Sequence, residues 1–149
     1  MHTVDSDVVI LAIYWFASLG LSELWACLNT GKKTRDIPIH TLSAQLGPSR
    51  CMALSLFHAV TGCDTVSHSL GCGKKTAWSA WQSTTGLTDT LVALSSDPQQ
   101  LSLQSQYMQT LERFVVVMYS KDCGLSRVNE TGLRLFTTRK KTLEALPLT

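Results

Sequence analysis

Val4-Asp5-Ser6-Asp7-Val8-Val9-Ile10-Leu11-Ala12-Ile13 is the stretch on which the fold turns. Its aliphatic and β-branched residues run on without period-two alternation, the pattern of a strand buried on both faces of a parallel sheet. On that reading the run predicts a central strand with Asp5 and Asp7 at its N-terminal end. Two residues apart on a strand is the same face. Carboxylates placed side by side repel, and a hard divalent cation such as Mg²⁺ or Mn²⁺ relieves the repulsion with oxygen ligands and retained waters. The competing reading of the same residues is a turn in which Asp5 caps locally. Because a central parallel strand is normally reached through an earlier strand and crossover helix, the chain is expected to lack an upstream half.

Outward from this run, Glu23 to Leu28 and Thr34 to Ile39 flank Asn29-Thr30-Gly31-Lys32-Lys33 and predict a β-hairpin with a basic tip. Pro38 makes its second strand an edge strand. Thr41 can cap a short helix that Gly47-Pro48 stops at Leu46. Ser49 can cap the next helix, through Val60, with Met52, Leu54, Leu56 and Phe57 buried. Helices are expected over Lys74 to Gln82, Thr88 to Leu94 and about Gln100 to Tyr119. The last presents Leu103, Tyr107, Leu111, Phe114 and Met118 on one face. The tail from Asn129 to Leu146 reads as one more helix.

In 149 residues, 44% apolar and 16% charged, there is enough hydrophobic material for a packed core, which excludes a disordered chain. A net charge of +2 is too small to hold nucleic acid by bulk electrostatics. DNA binding would therefore rest on local clusters: Lys32/Lys33/Arg35, Lys74/Lys75 and Arg139/Lys140/Lys141. Cys27, Cys51, Cys63, Cys72 and Cys123 are odd in number and contain no CxxC, so a reducing compartment fits better than a disulfide framework. The apolar run from Val8 to Leu21 is short for a membrane span and follows acidic residues where a signal peptide would carry basic ones. It is expected to be buried core, in a protein that is neither membrane-bound nor secreted.

Two further constellations carry chemistry. Gly62-Cys63-Asp64 puts a carboxylate at the end of an apolar helix. Leu70-Gly71-Cys72-Gly73-Lys74-Lys75-Thr76-Ala77 offers two glycines that permit positive φ and close backbone approach. Amides and lysines at the start of the next helix could face a phosphate there. A plain glycine cap before a solvated helix start reads equally well. No Walker loop GxxxxGK[ST] exists, so no nucleotide cofactor is expected.

With these residues in view, the ungapped stretch from Gly62 through Ala77 resembles the GxDY…GxGxKxA signature of flap endonucleases and related PIN-like nucleases. Val4-Asp5-Ser6-Asp7-Val8-Val9 looks like that family's TxDxDxL strand. FHAVTGCDTVS followed by GKKTAW is most similar to a group of animal proteins, often associated with mobile elements, that carry this domain. The resemblance covers Val4 to Trp81. It implies an α/β fold: a partial PIN-like, flap-endonuclease-like domain in residues 1–83, with a short parallel sheet remnant and a β-hairpin. A helix-hairpin-helix-like clamp would occupy 62–82, and 84–149 would be a helical extension. It further implies Asp5, Asp7 and Asp64 as catalytic ligands of Mg²⁺ or Mn²⁺, and Gly71, Gly73, Lys74 and Lys75 as contacts to the backbone of branched or duplex DNA. A nuclear or cytoplasmic site of action follows from such a substrate.

The departures from the family are equally specific. An acidic strand and a glutamate-bearing helix should precede Asp5, leaving three expected ligands; Glu23 and Asp36 fall outside the site, and Thr65 stands where the family has tyrosine. A two-metal site needs its ions clamped about 4 Å apart, so weak or absent activity of the chain alone is expected. A non-catalytic DNA-binding or protein-interaction module derived from a nuclease is the alternative, and a truncated product without a stable fold is a third. His58, Cys63, His68 and Cys72 match no common zinc spacing. His58 reads as a half-buried helix residue with a satisfied ring, and Trp15, Trp25, Trp78 and Trp81 as packing residues. No GxSxG elbow supports a serine hydrolase.

Overall fold

The computed structural model describes residues 1–29, 31, 33–62, 73–100 and 105–119. It is an α/β fold, mostly helical, and divides into two compact units, Met1–His58 and Ala59–Thr149.

The first unit opens with a two-residue strand, β1 (His2–Thr3), followed by helix α1 (Ser6–Trp15) and a 3₁₀ turn, Phe16–Leu19. This corrects the expected strand over Val4 to Ile13. A short, uniformly apolar run fits a strand or a buried helix equally by periodicity; here the start signal at its head decides. Asp5 is extended (φ −111°, ψ 128°), and its side chain accepts from Asp7 N–H at 2.8 Å, satisfying one of the amides a helix start leaves unpaired. Thr3 Oγ1 accepts from Asp5 N–H at 3.1 Å and fixes the entry. Along α1, Val9 and Ile13, four apart, are buried, whereas Leu11 and Trp15 are exposed.

After the turn, β2 (Trp25–Asn29) pairs parallel with β1, so α1 is the crossover of a β-α-β unit. The expected hairpin is present: β3 (Thr34–Pro38) pairs antiparallel with β2 from Trp25 opposite Pro38 to Asn29 opposite Thr34. Asn29 Oδ1 accepts from Gly31 N–H at 2.9 Å, the side-chain turn that makes asparagine useful at this place. The sheet order is β1-β2-β3, so β1 lies at an edge of the described sheet and not at its centre. β3 forms the other edge, where Pro38 and the exposed Arg35 and Asp36 discourage further pairing.

Helix α2 (Ile39–Leu46) has Pro38 as its N-cap, three residues before the expected cap Thr41, and ends at Gly47. Gly47 has φ 75° and ψ 164°, a region essentially restricted to glycine. Pro48 then starts α3 (Pro48–Val60) at the first helical position, where its missing N–H costs nothing. On α3 the buried residues are Cys51, Ala53, Leu54 and Phe57. Leu54 and Phe57 agree with expectation, Leu56 is half-buried and Met52 is exposed. The first unit buries Ile39 and Ala26 as well, beside the α1 and α3 residues.

In the second unit, α4 (Lys74–Ser83) and α5 (Leu87–Ser96) follow the expected helices closely, whereas α6 (Gln106–Tyr119) begins six residues after the expected Gln100, which lies in a 3₁₀ turn at Pro98–Gln100, and Tyr107 and Leu111 of its expected apolar face are half-buried. α6 packs against both α4 and α5. The buried set is Ala77, Ala80 and Trp81 on α4, Leu87, Leu91 and Leu94 on α5, and Phe114, Val116, Val117, Met118 and Tyr119 on α6. Trp81 Nε1–H donates to Thr88 Oγ1 at 3.0 Å, so the buried indole keeps its polar atom satisfied. The expectations for Leu103 and for the helix from Asn129 to Leu146 lie outside the described residues.

Candidate functional site

Asp5 and Asp7 do not project from one face of a strand. Asp5 is the N-cap of α1 and Asp7 the second residue of its first turn. Both carboxylates nevertheless stand where β1 has just ended, at the carboxyl end of a parallel strand and at the positive end of a helix.

A third residue joins them. His58, in the last turn of α3, places Nε2 2.6 Å from Asp7 Oδ1, across 51 residues of sequence. An ionised carboxylate only accepts, so the proton sits on Nε2 and the imidazole donates. The Asp7 side chain is 38% exposed and that of His58 18%; the imidazole is thus the more buried partner. Sequence reasoning reached the half-buried histidine but not its partner, because no local pattern links positions so far apart in the chain.

At α4, Gly73 is the N-cap with φ −76° and ψ 170°. Gly73 does not use the positive φ that a glycine permits: this is extended backbone open to any residue. A Cβ on Gly73 would meet no atom within 4 Å among the described residues, so none of these demands glycine there. Gly73 C=O accepts from Thr76 N–H at 2.9 Å and Ala77 N–H at 3.1 Å, starting the helix. Lys74 Nζ–H donates to the buried Thr61 Oγ1 at 2.8 Å, tying the start of α4 to the residue before Gly62. Lys75 is exposed. Gly62 itself has φ 92°, the left-handed sign that its glycine permits.

Asp64 and Gly71, with Cys63, His68, Cys72 and the Arg139/Lys140/Lys141 cluster, lie outside the described residues. Among the described residues, no group of three or more histidine, cysteine, aspartate or glutamate side chains is arranged to hold a metal ion. Trp81 is buried and Trp78 half-buried, as packing residues should be. Trp15 and Trp25 depart from that expectation, at 55% and 46% exposure. The Trp25 ring keeps an edge contact with His40, 5.5 Å between centroids, and its Nε1–H donates to Glu23 Oε1. Burial pushes the Cys51 thiol above its ordinary range. No described helix is long and apolar enough to cross a membrane.

No protein-family model, curated protein or solved structure matches the chain.

Proposed function

We propose that this chain carries part of the carboxylate set, and the backbone-gripping hairpin, of a PIN-like, flap-endonuclease-like nuclease acting on branched or duplex DNA inside the cell. The observation that carries this reading is the position of Asp5 and Asp7 at the carboxyl end of β1 and the head of α1. It is supported by the resemblance of the stretch from Gly62 to Ala77 to the nuclease signature. Hard oxygen donors suit Mg²⁺ or Mn²⁺. A carboxylate offers about four lone-pair sites, so the cap bond of Asp5 and the His58 bond of Asp7 leave acceptor capacity on each.

On this reading Asp5, Asp7 and Asp64 would hold the cation, which supplies an activated water and charge stabilisation at the leaving oxygen. Asp5 also keeps the head of α1 formed, so that Asp7 is presented at a fixed place. Gly71 and Gly73 give the sugar-phosphate backbone room to approach, and Lys74 and Lys75 add charge at the start of α4.

A second reading, a non-catalytic DNA-binding module derived from such a nuclease, is favoured by one observation. Both described aspartates already have structural partners, the α1 amide and His58. One experiment separates the two. The full chain is incubated with branched DNA and Mn²⁺, beside Asp64→Ala and the double variant Lys74→Glu/Lys75→Glu. Cleavage that disappears in Asp64→Ala supports the nuclease, and cleavage unchanged in that variant rejects the assignment. Salt-sensitive binding without cleavage, lost in the lysine double variant, supports the second reading.

A further inference from the structure

We propose that His58 is the positioning residue for the Asp7 carboxylate, orienting it toward a divalent cation; this rests on the metal-binding reading of Asp7 given above. The geometry supplies the argument. Nε2 of His58 lies 2.6 Å from Oδ1 of Asp7, in direct hydrogen-bond contact. The bond joins the last turn of α3 to the first turn of α1, between residues 51 positions apart in the sequence. With Asp7 at 38% exposure and His58 at 18%, the imidazole is the more shielded partner, leaving the carboxylate the more open of the two.

A surface aspartate rotates among rotamers, and a metal ligand that does so binds weakly. Fixing one carboxylate oxygen by a donor on the protein side orients the other lone pairs, which is how outer-shell hydrogen bonds tune metal sites. The role assigned to His58 rests on the bond it makes to Asp7 Oδ1.

The test is a titration of the full chain with Mn²⁺ alone, following the electron paramagnetic resonance signal of the free ion, without DNA. The variants are His58→Leu, His58→Gln and His58→Asn. Glutamine can present an N–H near the position of Nε2, whereas asparagine is too short to reach Asp7. His58→Leu and His58→Asn are expected to lose about 10- to 100-fold in Mn²⁺ affinity, with His58→Gln close to wild type. A thermal melt of each variant reports folding separately, and if His58→Leu fails to fold, the glutamine–asparagine pair decides. A merely structural contact would lower the melting temperature of His58→Asn and leave its Mn²⁺ affinity unchanged. Wild-type binding with equal affinity in His58→Leu or His58→Asn overturns this inference and leaves the metal-site reading standing. A wild-type chain that binds no Mn²⁺ overturns the metal-site reading, and this inference with it.

Discussion

Replacing Asp5 by alanine tests the local structure on which the site depends. The Asp5 side chain accepts from Asp7 N–H at 2.8 Å as the N-cap of α1. Loss of such a cap costs about 1 kcal/mol, within a range of roughly 0.5–2. A negative charge at a helix N-terminus adds roughly 0.3–1 kcal/mol at low salt. Asp5→Ala should therefore destabilise the chain by about 1.5 kcal/mol. In a chain of 149 residues, each kcal/mol moves the melting temperature by roughly 2–4 °C, so the fall should be about 3–6 °C. Asp5→Asn keeps an equally good cap and loses only the charge, so its fall should be smaller and should vanish in high salt. Far-ultraviolet circular dichroism melts of the three proteins at low and high salt provide the assay. A buried strand with two repelling carboxylates would give the opposite sign, because neutralising either one relieves repulsion. Equal or higher melting temperatures for Asp5→Ala would therefore refute the helix-cap account.

Four further outcomes are expected. Gly47→Ala forces an L side chain into φ 75°, ψ 164° and should cost of order 1–3 kcal/mol in a urea titration; no shift in midpoint would contradict the backbone described there. Phe114, 2% exposed on α6, should cost about 3–5 kcal/mol on truncation to alanine, and a loss below about 1 kcal/mol would mean that its site is not packed. Gly73→Ser should stabilise α4 by a few tenths of a kcal/mol as a better N-cap, while weakening DNA binding if the backbone of a nucleic acid approaches this point; unchanged affinity in a filter-binding assay would remove Gly73 from the proposed contact. The buried Cys51 thiol has its pKa raised by desolvation, so its contribution to stability is complete below the unfolded thiol value and is lost as pH rises through the higher folded value. In the native chain it should alkylate more slowly than in urea at mildly alkaline pH, and equal rates would show that it is accessible.

What sequence alone determined were features whose cause is local. Asn29 and Gly31 close a turn between two strands, Gly47-Pro48 ends one helix, and the apolar spacing of α6 places Phe114 and Met118 on its buried face. Each depends on residues within a few positions of one another, through backbone geometry and side-chain periodicity. The run from Val8 to Trp15 was not decided by its own apolar composition, which suits strand and helix alike; the Asp5 cap at its head and the parallel pairing of β1 and β2 resolve it as helix. Only the tertiary structure could bring His58 to Asp7, because a hydrogen bond between positions 51 residues apart leaves no periodic trace in the chain. It also decided that Trp15 and Trp25 stay exposed, since burial depends on which faces the packed elements cover and not on the hydrophobicity of a residue taken singly.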